Sequence, residues 1–506
     1  MKSRGQKALI NTVVLGIYQF VMLVCGLVLP RYMLVYFGSD YNGIVTAISQ
    51  FLSFIVILQI GISGSTRFAL YKALANDDTL EISGIVNATE KYMRKVGIIL
   101  IVYIIFLVFA LPNIIKTTIS PFNVSILVLI VGTSSFAQYF FGITYQILLT
   151  ADQKQYIYYT IATIAMIMNA TVALFLMKMG QNIFVVKSAS TFVFATVPIF
   201  LLIYVRKRYS IISSVKPNNV GLKGRWDVMW HSLANIVHDN TDLVILTVFT
   251  DAKIVSVYTV YYLVINGIYK VLSVFTSSLE AAFGNMIAKD EITAVYKNLE
   301  IYEFLMYIFI SIVFSCTIVL IVPFVKLYTT GVTDINYVEP IFALIACVSQ
   351  MFMCIRQPYL TVVQAAGHYK QTKNGAVAEA GINFCLSIIL TFKFGLIGVA
   401  IGTLVANVFR TVQYICYLRS NIIKRAAQKP LFMILWLLLN MVVITVICNI
   451  IINTVNISSW IMWIVAGIVC LSISLLVTIS SAALFYSKKL SLARNTIANI
   501  LIKKKI

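Results

Sequence analysis

The residues of this chain best placed to do chemistry are charges set inside long apolar runs. His231, Asn235, His238 and Asp242 recur at spacings of four, three and four, with Asp239 beside them, so one helix face can carry them all. On the next apolar run Tyr262, Asn266 and Lys270 repeat at i+4. Two such faces suit a shared aqueous cavity, because a charge at mid-bilayer costs about 2.5 to 3.5 kcal/mol and so seeks water or a partner. Lys270, near the middle of its run, is expected in that cavity. The alternative is a buried pair with Asp239 or Asp242 that joins two helices. Arg31, Arg67, Arg356 and Arg410 complete a basic set, and the planar fork of arginine suits phosphate oxygens. Plainer readings stay open. Arg31 can anchor at an interface, Arg67 can be a positive-inside residue, and Arg356 can satisfy carbonyls freed by a kink at Pro358. Arg410 can snorkel to a helix end.

The candidate site therefore has a cationic, substrate-binding part (Arg31, Arg67, Lys270, Arg356, Arg410) and a polar part (His231, Asn235, His238, Asp239, Asp242, Tyr262, Asn266, Glu379). Asp239 and Asp242, with His238, are candidates to bind H⁺ or Na⁺ as a coupling ion. For Glu379, Asn383 and Asn407 the expected role is hydrogen bonding between helices. No catalytic residue, metal site or organic cofactor is expected: the sequence holds no GxxxxGK[ST], HExxH or GxSxG. The eight cysteines fall in apolar stretches without a CxxC.

The elements that hold these residues follow from composition. Of 506 residues 60% are apolar and 11% charged, and the mean hydropathy is +0.92. An ordinary soluble domain is about one quarter charged, so the chain is expected to be an all-α integral membrane protein. Fourteen apolar runs lie between residues 8 and 486, each long enough for the roughly 20 residues that a crossing takes. An even count puts both termini on one side. That side carries 29 lysines and arginines in its connections and the other side five, which makes the termini cytoplasmic. The net charge of +21 is explained by this topology and by anionic headgroups, with no nucleic-acid partner. The first apolar run lacks a small-x-small cleavage pattern and is read as a retained helix.

A repeat orders the runs. Ala151-Asp152-Gln153-Lys154 and Lys178-Met179-Gly180 have counterparts in Gly367-His368-Tyr369-Lys370 and Lys393-Phe394-Gly395, 215 to 216 residues later. The expected organisation is a six-helix lobe over 1–210, a second over 211–425, and two further helices with a basic tail over 426–506. Lobes with an even number of spans share one orientation, related by an axis along the membrane normal.

Leu29-Pro30-Arg31-Tyr32 with Phe37-Gly38, Gln59-Ile60-Gly61 followed by Arg67, and Asn240-Thr241-Asp242 followed by Val257-Tyr258 are set in this layout of six, six and two. Together they resemble polysaccharide flippases of the multidrug/oligosaccharidyl-lipid/polysaccharide exporter superfamily. The resemblance covers nearly the whole chain in layout. It implies a V-shaped pair of bundles that alternates between inward-open and outward-open states. It also implies turnover of an undecaprenyl-diphosphate-linked oligosaccharide, of the O-antigen or capsule kind, in a bacterial cytoplasmic membrane. Partners on this view are membrane lipids and the polysaccharide polymerase and chain-length machinery. A diphosphate headgroup is strongly attracted by cations in a low-dielectric cavity. An ion-coupled exporter of drugs or organic cations from the same superfamily is the alternative that Asp239 and Asp242 would suit. A membrane glycosyltransferase or polymerase is a third, opposed by the lack of a large outer loop.

Overall fold

Apolar runs become helices because backbone in hydrocarbon must satisfy its own N–H and C=O groups. The computed structural model describes residues 4–222, 240–423, 426, 428–452, 454–455 and 457–503. Its helices are α1 (Arg4–Ser53), α2 (Val56–Ala75), α3 (Thr79–Ile114), α4 (Pro121–Ala137), α5 (Ile143–Ala151), α6 (Gln155–Lys178) and α7 (Ile183–Arg208). After α8 (Asn240–Phe249) come α9 (Ala252–Ala288), α10 (Ile292–Tyr328), α11 (Pro340–Ile355), α12 (Gln357–Ala365), α13 (Tyr369–Phe394) and α14 (Leu396–Leu418). The last three are α15 (Gln428–Ile452), α16 (Trp460–Phe485) and α17 (Ser487–Lys503).

Twelve of the described helical stretches are long and apolar enough to cross a membrane. One of them, α1, is two helices that meet at Gly38, where φ of 80° and ψ of 176° leave helical space. Contacts show that the chain runs from one end of the first unit to the other, turns there and runs back. Near its start, Asn11 donates to the Gln153 carbonyl at 2.8 Å and accepts from the Tyr156 N–H at 2.9 Å, in the turn between α5 and α6. Past Gly38, Asp40 accepts from the hydroxyls of Thr117 and Thr118, at the other end of α4. The return is completed by α2, which turns at 76–78 into α3. The start of α3 sits beside the chain that leaves α7, with the Ser83 hydroxyl accepting from the Ile212 N–H at 3.1 Å. With α1 counted as two helices and the shorter apolar α8 added, the described residues are compatible with the roughly fourteen spans that the sequence predicts.

Several helices outrun their apolar sequence. The stretch 71–92, where charged and apolar residues interleave as in a connection, is helical on both sides of a three-residue turn, and α10 begins eleven residues before the apolar run that starts at 303. Hydropathy marks only the middle of a long helix whose polar ends stand beyond the hydrocarbon.

By contacts the chain forms two units, Met1–Val257 with Gly331–Ile335, and Tyr258–Thr330 with Asn336–Ile506. In the second unit α15 and α16 pack on α10: Val319 and Leu320 meet Ile444, Cys448, Ala466 and Cys470, and the Trp463 indole donates to the Leu320 carbonyl at 3.1 Å. Equivalent turns recur in the two halves. Asp77 (φ 50°) and Asp290 (φ 56°) end helices, as do Gln153 (φ 57°) and Gly367 (φ 70°). In all four the next N–H closes on the carbonyl five residues back, from Asp78 to Ala73 at 3.0 Å and from Glu291 to Met286 at 2.9 Å, for example. The span made by α4 and α5 (span four, Pro121–Ala151) bulges through a π-helical turn at Gln138–Gly142, and the span made by α11 and α12 (span ten, Pro340–Ala365) breaks at the corresponding place, Arg356.

Candidate functional site

Pro358 lacks an N–H and crowds the turn before it, so α11 ends at Ile355 and α12 restarts at Gln357. Arg356 occupies the junction. Its guanidinium Nη1 bonds to Glu379 Oε1 of α13, and Nη1 also lies 3.5 Å from Asn407 Oδ1 of α14. Arg410 of α14 reaches the same carboxylate, Nε to Oε2 at 3.3 Å. Its remaining donors go to the Thr372 carbonyl at 3.2 Å, Gln413 Oε1 at 2.6 Å and the Tyr414 hydroxyl at 2.7 Å. Gly375 leaves the necessary room: a Cβ there would stand 2.2 Å from Arg410 Nη1. All three charged residues are buried, and α13, α14 and the break of span ten converge on one carboxylate. Two guanidiniums on one carboxylate leave the trio one positive charge in excess. Arg410 does not snorkel, because an acid is available one helix away, and Arg356 turns to that acid instead of to freed carbonyls.

A second buried acid escaped the sequence reading. Glu303 of α10 is fully buried and accepts from the Tyr359 hydroxyl of α12, which shares a 2.7 Å hydrogen bond with Tyr307. It stood at the first residue of an apolar run, where an acid is unremarkable. The available signal was Tyr307 one turn on, a phenol able to serve a buried carboxylate.

Tyr262, Asn266 and Lys270 share α9. Asn266 and Lys270 are exposed, and Tyr262, half-buried, stacks on Tyr258 with centroids 4.1 Å apart. The opposite face of α9 buries Val260, Tyr261, Ile265 and Leu272. In the first unit Arg31 is half-buried on α1, which passes Pro30 unbroken. Arg67, also half-buried, donates Nε to the Ser63 carbonyl one turn back at 2.9 Å. Asp242 is buried on α8. His231, Asn235, His238 and Asp239 lie outside the described residues. The structure thus gathers Arg356, Glu379 and Arg410 into one cluster, and keeps Tyr262, Asn266 and Lys270 on one helix.

Outside the spans, Asp152 forms a clasp at the end of the first unit. Burial pushes its carboxyl up, but hydrogen bonds from Lys154 and Tyr209 and the charges of Lys154 and Lys7 outweigh that and hold it below the usual carboxylate range. Lys154 stands 2.6 Å and Lys7 3.4 Å away. The Tyr209 phenol is pushed well up by burial and by its bond to Asp152.

No protein-family model and no curated protein sequence matches the chain. Solved structures do. The lipid II flippase MurJ in an inward closed conformation superposes with a TM-score of 0.69 at 16% identity, over 94% of this chain and 99% of the flippase. The chain shares the fold of this flippase. An inward-facing multidrug-resistance MATE family transporter of the MOP superfamily matches with a TM-score of 0.63 at 13% identity, over 80% of this chain and 94% of the transporter. The Vibrio cholerae MATE transporter VcmN gives 0.53 at 16% identity, over 83% of this chain and 99% of VcmN. These are transporters and flippases, not enzymes, and the likeness at such identities is one of fold. The chain is a multi-pass membrane protein built on it.

Proposed function

We propose that the chain is a flippase that carries undecaprenyl-diphosphate-linked oligosaccharide repeat units across a bacterial cytoplasmic membrane by alternating access. The units move from the cytoplasmic to the outer leaflet, for a cell-surface polysaccharide. The observation that carries this reading is the match to a lipid II flippase along nearly the full length of both chains. The MATE structures take in 80% and 83% of this chain, and so leave more of it unmatched.

Charge supports the same reading. Lys270 stands with Asn266 on an exposed helix face, where a phosphate can meet an ammonium and an amide together. The lysine and arginine bias makes both termini cytoplasmic. Glu379, already shared by two arginines, acts as their anchor, which leaves Asp242 with His238 and Asp239 as the candidate site for a coupling H⁺ or Na⁺. At the outer leaflet the product would pass to a polymerase with its chain-length machinery.

A second reading, export of organic cations, is favoured by the MATE likeness and by buried Asp242. Purified protein in liposomes distinguishes the two. With lipid-linked oligosaccharide in one leaflet, the flippase moves it to the other without covalent change and leaves the distribution of organic cations untouched. Cation movement with stationary lipid would favour the exporter and end the flippase reading.

A further inference from the structure

The residues Gly331–Ile335 belong to the first unit, yet Thr330 and Asn336 on either side belong to the second. The chain leaves one unit for five residues and returns. Asp334 holds this strap in place. Its Oδ2 accepts the Ser39 N–H at 2.8 Å, its Oδ1 accepts the Ser39 hydroxyl at 2.7 Å, and its own carbonyl accepts from Lys253 Nζ at 3.2 Å.

Ser39 opens the second crossing helix just after Gly38. The first N–H groups of a helix have no partner inside it and form its positive end, so a side chain before the helix usually caps them. Gly38 has no side chain. The cap comes instead from a carboxylate 295 residues away in sequence. Glycine is required there twice over, by its φ of +80° and because a Cβ would stand 3.2 Å from Asp334 Oδ2.

The same end of the first unit is tightly closed. A Cβ on Gly43 would lie 1.8 Å from the Ala252 carbonyl oxygen. Asn42 donates to Ser256 at 2.8 Å, and the Ala252 N–H bonds the Lys116 carbonyl at 2.9 Å. Ser39 is fully buried whereas Asp334 is exposed, so water stands ready to take over the carboxylate when it lets go.

We propose that Asp334 is a releasable latch: the strap Gly331–Ile335 caps the helix that starts at Ser39 and keeps that end of the first unit closed. The bearing on transport rests on the proposed function, but the latch itself does not.

Hydrogen exchange of the full-length protein in lipid nanodiscs, without substrate, tests it. Asp334→Asn is expected to speed exchange roughly three- to tenfold in peptides covering 39–43, 252–256 and 331–335 together. Ser39→Ala, a milder change, is expected to affect the same three peptides less. Asp78→Ala, which removes the carboxylate that accepts the Leu80 and Glu81 N–H groups at the start of α3, should speed only the start of that helix. Faster exchange confined to 39–43, or none in either variant, would overturn the latch. If Asp334→Asn does not fold, Ser39→Ala decides alone. A latch that behaves as expected in a protein that moves no lipid-linked glycan would sink the flippase reading and leave the latch standing.

Discussion

In the first unit the carboxylate of Asp152 lies in a turn, 18% exposed, between Lys7 and Lys154; in the second, that of Glu379 lies within α13, 8% exposed, between Arg356 and Arg410. Each is one acid shared by two cations, and the surroundings make the difference. At the end of a helix bundle, water screens the charges and accepts whichever one is left over. Inside the second unit no such relief exists, so the three charges form an obligatory set whose members are each destabilising alone. Lys270, by contrast, stands exposed on a face of α9.

The largest expected effect breaks the comparison if absent. Glu379→Ala strands two buried guanidiniums and should lower stability by about 3 to 5 kcal/mol, read as loss of folded protein in a detergent thermostability assay. The sharper form replaces the trio together. Arg356→Met, Glu379→Leu and Arg410→Met combined should recover most of that loss, since no buried charge is then left unpaired. If the triple variant is as unstable as Glu379→Ala, the trio holds the break of span ten by shape and not by charge.

Next comes Tyr359→Phe, which removes the donor to buried Glu303 and should cost about 1 to 3 kcal/mol by the same assay. Least is expected of Asp152→Asn, about 1 kcal/mol or less near neutral pH. Its sign with pH is defined. The folded carboxyl is held below the usual value, so its contribution is complete above about pH 4, the unfolded value, and is lost as pH falls through the folded one. The wild-type acid limb should therefore flatten in Asp152→Asn, and an unchanged limb would remove Asp152 from the clasp.

Much of this was legible in the sequence. Apolar runs gave the spans, and the short loops 151–154 and 367–370 gave the repeat, because turn residues must sit at fixed places in a helical chain. The partnership of Arg356, Glu379 and Arg410 was not legible, since the three lie on different helices and hydropathy carries no register between helices. Asp334 was hidden for a related reason: an acid in a loop between two helices looks solvated until the helix end it caps is known. Glu303 was lost to a helix boundary. The run began at 303, whereas α10 begins at Ile292 and carries the acid into the core.

The central claim is tested most directly by leaflet transfer of lipid-linked oligosaccharide in liposomes, comparing wild type with Lys270→Ala and Lys270→Arg at equal reconstitution. Wild type is expected to transfer it, Lys270→Ala to melt as wild type does but transfer at least about tenfold more slowly, and Lys270→Arg to restore part of the rate. No transfer by the wild-type protein would contradict the account, and equal rates for all three would remove Lys270 from the path of the headgroup.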